Sequence, residues 1–193
     1  MKIFIEEIQP DRLGEYDRVP QRVEVKTILQ PELVENGLGG INFREVAVEQ
    51  PYIKDYDSSG DHPSDVTTKF DVSKWGFFLA VAGNLPAGGA MVAYDTTGVF
   101  MLEARKDLAV LWDIRVCPEY RGVGISLFRH AAAWARQKGC TQMKIETQNV
   151  NVPACRFYQR MGARLGEIHR FGYAGVPAVA NEVMLNWYLN LKD

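Results

Sequence analysis

No apolar run in this sequence approaches the ~18 residues that a membrane-spanning helix needs. The amino-terminal stretch MKIFIEEIQPDRLGEYDR meets Glu6 and Glu7 before a signal-sequence core can form, so a cytoplasmic protein with no membrane contact is expected. Cysteine is scarce. Cys117, Cys140 and Cys155 make an odd number with no C-x-x-C spacing, which excludes a zinc ribbon and a disulfide framework and leaves reduced thiols. The three histidines, His62, His130 and His169, belong to no recognisable triad and argue against a catalytic metal. Excess basic charge is missing too: 22 Lys and Arg stand against 24 Asp and Glu, for a net charge of −2, so no nucleic-acid partner is expected. What is present is 193 residues, 47% of them hydrophobic, enough to bury one sizeable core, and a single domain over residues 1–193 is the expectation.

Periodicity then orders the chain. QRVEVKTILQP alternates Val23, Val25, Thr27 and Leu29 against polar neighbours and predicts a strand ended by Pro31. Residues 31–74, broken by ENGLGG and rich in polar turn formers, predict loop with a short helix. WGFFLAVAG and GGAMVAYD predict an antiparallel hairpin bending at NLPA. AVLWDIRV predicts a strand with Leu111, Asp113 and Arg115 on one face. From Val123 to Lys138, Leu127, Ala131, Trp134 and Ala135 recur at helical spacing and Gly139 supplies the stop. MKIET predicts a short strand, NVPACRFYQRMG a helix with Pro153 in its first turn, and EVMLNWYLNL a closing strand. Trp112, Trp134 and Trp187 read as core. The central strand, helix and strand can be parallel and the rest antiparallel, an α/β (α+β) class with flanking helices.

Between the strand AVLWDIRV and its helix lies RGVGIS. A Walker loop needs a lysine after its last glycine, and a dinucleotide fingerprint needs a third glycine; neither is here. Two readings remain: a plain tight turn, or backbone N–H groups of residues 122–126 presented to an anionic phosphate at a helix start.

VCPEYRGVGISL is similar to the acetyl-CoA pyrophosphate loop of the GNAT superfamily of N-acyltransferases, with Arg121, Gly124 and Ser126 at the motif positions and Ser126 in place of the usual Gly or Ala. NVPACRFY resembles the second element of that family through Asn151, Ala154, Phe157 and Tyr158. KIETQNVNVPACRFYQRMGA, NWYLNL and EQPYIKDYD together resemble the streptothricin acetyltransferases. The resemblance implies a GNAT-type mixed, mostly antiparallel sheet. It implies acetyl-CoA as cosubstrate, held by Ile114, Val116, Arg121, Gly122, Val123, Gly124, Ile125, Ser126, Asn151 and Tyr158, and no metal. It also implies direct acetyl transfer to a primary amine of a cationic small molecule, streptothricin being the named candidate; alternatives are a protein N-terminus, an aminoacyl-tRNA, or a non-catalytic acetyl-CoA-binding module. Such a chain is expected as a monomer or homodimer.

That chemistry needs particular groups. An alkyl amine with a pKa of about 10.4 is almost wholly protonated at neutral pH, so a base must take its proton. Asp113 is one candidate and Glu146 the other; Asp113 has the plain alternative of pairing with Arg115. Tyr158 is the candidate acid for the departing coenzyme thiolate, with a core aromatic as its alternative role. Asn151 is a helix cap, a ligand of the pantetheine arm, or both. Cys155 reads as packing. Glu49, Asp55, Asp57, Asp61 and Asp65 form either a solvated loop or, with Glu182, an acidic lip for a cationic amine.

Overall fold

The structure, a computed structural model, describes residues 2–60 and 62–192, so Asp61 of the acidic stretch lies outside the described residues. In chain order the elements are β1 (Ile3–Glu7), α1 (Leu13–Tyr16), β2 (Arg22–Val34), β3 (Gly40–Asp55), α2 (Val66–Lys69) and β4 (Gly76–Ala82). They continue with β5 (Leu85–Tyr94), β6 (Leu108–Val116), α3 (Val123–Gln137), β7 (Gln142–Gln148), α4 (Val152–Arg160), β8 (Arg164–His169) and β9 (Met184–Asn190). This is the mixed, mostly antiparallel α/β architecture expected, and no helix among the described residues is long and apolar enough to cross a membrane. The chain forms two compact units, one of Met1–Gln21, Tyr56–Ile145 and Tyr188–Asp193, the other of Arg22–Asp55 and Glu146–Trp187.

In the first unit the strands run β1, β4, β5, β6, β7. The first three pairings are antiparallel. The fourth, β6 with β7, is parallel, and α3 is its crossover. One face of this sheet carries a core of Leu13, Tyr16, Phe77, Leu79, Met91 and Val110, with Trp75, left open in the sequence, buried among them. Each such side chain contributes about 1.5–3 kcal/mol. Gly89 belongs to that packing because a Cβ there would sit 2.3 Å from the Tyr16 ring. On α3 the predicted stripe holds, with Leu127, Ala131, Trp134 and Ala135 buried, and Gly139 adopts φ 86° as a left-handed stop. The connection between β5 and β6 is anchored by Glu103, which accepts from Lys144 Nζ at 2.8 Å and from the Tyr188 hydroxyl at 2.6 Å.

Several sequence expectations need correction. The β4–β5 hairpin turns at Gly83 and Asn84, not at NLPA, since Leu85 already pairs with Ala82 and Gly83 supplies φ 63°. The amino-terminal strand β1 was not anticipated at all. On β6 the face assignment fails because Met91 pairs with Asp113 while Val92 pairs with Leu111, leaving Trp112 as the extra residue of a β-bulge. Asp113 and Arg115 are therefore re-aimed to line one cavity with Met91 and Trp112.

The second unit contains a two-stranded ribbon, β2 paired antiparallel with β3, where loop was expected over most of residues 31–55. Pro31 does not end β2 but pairs with Phe43 inside it. A two-stranded ribbon has an outer edge on each strand, where the missing proline N–H is tolerated. The sheet strands of this unit run β7, β9, β8. Asn149 joins ribbon to sheet within the unit: its side-chain amide donates to Leu29 O at 3.0 Å, and its carbonyl oxygen accepts from Val183 N–H at 2.8 Å. Strand β7 is followed by α4, which starts at an Asn151 cap with Pro153 in the first turn, as predicted.

Candidate active site

The glycine turn begins where β6 loses its neighbour. Pairing with β7 covers only Leu108–Leu111, whereas β6 runs on to Val116, so among the described residues 112–116 have no strand partner on that side. Ile114 and Val116, expected to bind the cosubstrate, lie on this open edge, which offers peptide groups to an extended, amide-bearing ligand arm. Pro118–Tyr120 make one tight turn, and Gly122 then takes φ 100°, ψ −24° as the residue before α3. No atom lies within 4 Å of a Cβ placed there, but the left-handed backbone reserves the position for glycine.

At the start of α3 the first-turn N–H groups have no acceptor one turn back. Ile125 N–H makes a 3.2 Å turn bond to Gly122 O. Arg121, Gly122, Ile125 and Ser126 are exposed, Gly124 is half-buried and Val123 packs inward. Open edge, left-handed glycine and exposed helix start fit an extended ligand ending in a pyrophosphate.

Beside the bulge, Arg115 is a hub. It donates through Nε to Asp113 Oδ2 at 2.8 Å, through Nη1 to Asp57 Oδ1 at 2.8 Å and to Val19 O at 3.2 Å, and through Nη2 to Gln21 Oε1 at 3.0 Å. Gln21 N–H completes the set by donating to Asp57 Oδ2 at 2.9 Å. Asp113 is thus in the ion pair that the sequence offered as its alternative role. The adjoining cavity of about 350 Å³ is walled by Tyr56, His62, Lys69, Trp112 and Asp113.

In the second unit, Glu146 Oε1 accepts the Tyr173 hydroxyl at 2.6 Å, and Gln148 Nε2 donates to the same phenol oxygen at 3.1 Å. Burial, then the Glu146 charge, pushes the Tyr173 phenol far above its ordinary value, so it stays protonated and donates. On α4, Asn151 Oδ1 caps Ala154 N–H at 3.2 Å, and Tyr158 is buried with its ring edge-on to Phe157. Cys155 is buried too, and that burial raises its thiol, so it is no nucleophile at neutral pH.

Four of the carboxylates in the expected acidic lip have partners of their own. Asp57 is held by Arg115, Asp55 accepts from Arg22 Nε at 2.8 Å, Asp65 accepts from His62 N–H at 2.8 Å, and Glu182 is clasped by Lys54. Residues that sequence reasoning passed over are Gln21, Arg115 as a hub, and Tyr173. Apart from the Asp113–Arg115 pair, little local marks them, since their other partners are distant in the chain.

A strand that runs past its parallel neighbour into a left-handed glycine and an exposed helix start defines an acyl-coenzyme A transferase architecture. The chain belongs to the acetyltransferase (GNAT) family, which matches residues 44–163, and it is an acetyl-CoA-dependent N-acetyltransferase. The streptothricin acetyltransferase of Escherichia coli is 29% identical over 182 residues, covering 93% of this chain and 91% of that protein. That of Streptomyces lavendulae is 35% identical over 126 residues, covering 64% and 62%. A Bacillus anthracis str. Ames structure in complex with acetyl coenzyme A matches with a TM-score of 0.76 and 25% identity over 98% of this chain and 99% of that one.

Proposed function

We propose that this enzyme transfers the acetyl group of acetyl-CoA directly to a primary amine of a cationic small molecule, with the β-lysine amine of streptothricin as the acceptor. The similarity to streptothricin acetyltransferases along nearly the whole chain carries this reading. We take the chain as a single acetyltransferase domain over residues 1–193. The pyrophosphate rests on the N–H groups of residues 122–126 beside Arg121, and the pantetheine arm follows Ile114 and Val116, with Asn151 and Tyr158 contributing from α4.

Glu146 is the base in preference to Asp113. Protonating Asp113 would break its pair with the buried Arg115, a costly step. Glu146 has no cationic partner among the described residues and accepts only from a neutral phenol. Glu146 takes the proton of the ammonium, and the freed lone pair of the amine nitrogen forms its bond to the thioester carbonyl carbon. The carbon–sulfur bond then breaks, Tyr158 protonates the departing thiolate, and the second nitrogen proton returns to the Tyr158 oxygen, while Glu146 gives its proton to solvent. The products are the acetamide and coenzyme A, and no acyl-enzyme is formed.

The test is competition. Purified protein with acetyl-CoA is offered streptothricin, polyamines, free lysine and a peptide with a free N-terminus, and mass spectrometry locates the acetyl group. Acetylation on the β-lysine moiety is the expected result. Inert streptothricin beside a peptide N-terminus that turns over would overturn the acceptor assignment.

A further inference from the structure

Glu146 and Gln148 are two residues apart on β7, so strand alternation places them on one face. Tyr173 comes from the turn-rich segment between β8 and β9, where Gly172, Ala174 and Val176 N–H groups each close a turn three residues back. Its phenol bridges the pair, giving its proton to Glu146 Oε1 at 2.6 Å and taking a hydrogen bond from Gln148 Nε2 at 3.1 Å. The other titratable group whose charge acts on this phenol is Glu182, held by Lys54. Glu146 Oε2 has no hydrogen-bond donor among the described residues.

We propose that Tyr173 is a positioning residue for acetyl transfer, tying down Oε1 of Glu146 so that Oε2 is the oxygen that takes the acceptor's proton. The inference rests on Glu146 being the base. A short bond from a neutral O–H to a carboxylate favours the charged, proton-accepting form and removes one rotational freedom of the carboxylate. Gln148 strengthens the arrangement, because a phenol that accepts a hydrogen bond is a better donor. Tyr173, half-buried and held in its protonated state, gives up no proton at neutral pH. It acts only through Glu146.

The experiment reads the carboxylate and the rate together. Protein carrying carboxyl-labelled glutamate gives a ¹³C signal for Glu146, assigned by its loss in Glu146→Gln. In Tyr173→Phe, which keeps the ring and removes the hydroxyl, that signal is expected to move at fixed pH because the hydrogen bond to Oε1 is gone. A smaller move is expected in Gln148→Met. With acetyl-CoA and streptothricin, kcat should fall at least about tenfold in Tyr173→Phe while the KM for acetyl-CoA is unchanged. An unmoved Glu146 signal, or a wild-type kcat in Tyr173→Phe, overturns the positioning role. If Glu146→Gln keeps the wild-type rate, the base assignment falls and this inference with it. If Glu146→Gln is inactive while Tyr173→Phe keeps the wild-type kcat, only the role of Tyr173 falls.

Discussion

Arg115 meets Asp57 at 2.8 Å, a pair 58 residues apart in sequence that ties β6 to the segment leading into α2. The Arg115 side chain is 5% exposed and also serves Asp113, so removing it strands two carboxylates. Arg115→Met is expected to cost about 3–5 kcal/mol, read from the urea midpoint. Acid should act on the same pair. Burial alone would raise the Asp57 carboxyl, but the Gln21 N–H and the Arg115 charge outweigh it and hold the group below its ordinary 3.8. A depressed folded value means that its stabilisation is complete above pH 3.8 and is lost as pH falls through the lower folded value. The urea midpoint should therefore drop below about pH 4 in the wild type, and that component of the drop should be absent from Arg115→Met.

Gly124 stands where a pyrophosphate must approach the backbone. Gly124→Val places a branched side chain at that approach and is expected to weaken acetyl-CoA binding at least about tenfold by calorimetry. Because position 124 lies within α3, the fold should survive, and circular dichroism would confirm it. Unchanged affinity would remove the pyrophosphate from this turn.

Tyr158→Phe retains the ring that packs against Phe157 and deletes the transferable proton. The expected result is a kcat lower by about 100-fold or more with acetyl-CoA affinity preserved. Thiol release under single-turnover conditions isolates the chemical step. A wild-type single-turnover rate across pH would assign Tyr158 to packing alone.

The three cysteines should differ in reactivity. Burial pushes the Cys140 thiol up to about 11 and also raises Cys155 and, half-buried, Cys117. At pH 8 a disulfide reagent should label Cys117 slowly and reach Cys140 and Cys155 only in denaturant. Three thiols reacting together in the native protein would contradict this burial.

Local signals in the sequence were enough for the elements that define themselves. Helix α3 has its stripe from Leu127 to Ala135, a left-handed glycine before it and Gly139 after it, so capping and periodicity agree within one short segment. Helix α4 was equally legible from Asn151, Pro153 and Gly162, and the parallel β6–α3–β7 unit followed from its order in the chain. The first part of β2 was legible from Val23 to Leu29, but the ribbon beyond Pro31 was not, because much of it is exposed and no core enforces a strict alternation. The bulge at Trp112 was equally hidden, since it depends on the register with β5, and it decides where Asp113 and Arg115 point. Charge partners were the least readable. Asp113 and Glu146 look alike as carboxylates on neighbouring strands, yet folding gives one a guanidinium shared with Asp57 and gives the other a phenol 27 residues downstream. Hydrogen bonding and burial set what a carboxylate can do, and only the tertiary fold brings such distant partners within 3 Å.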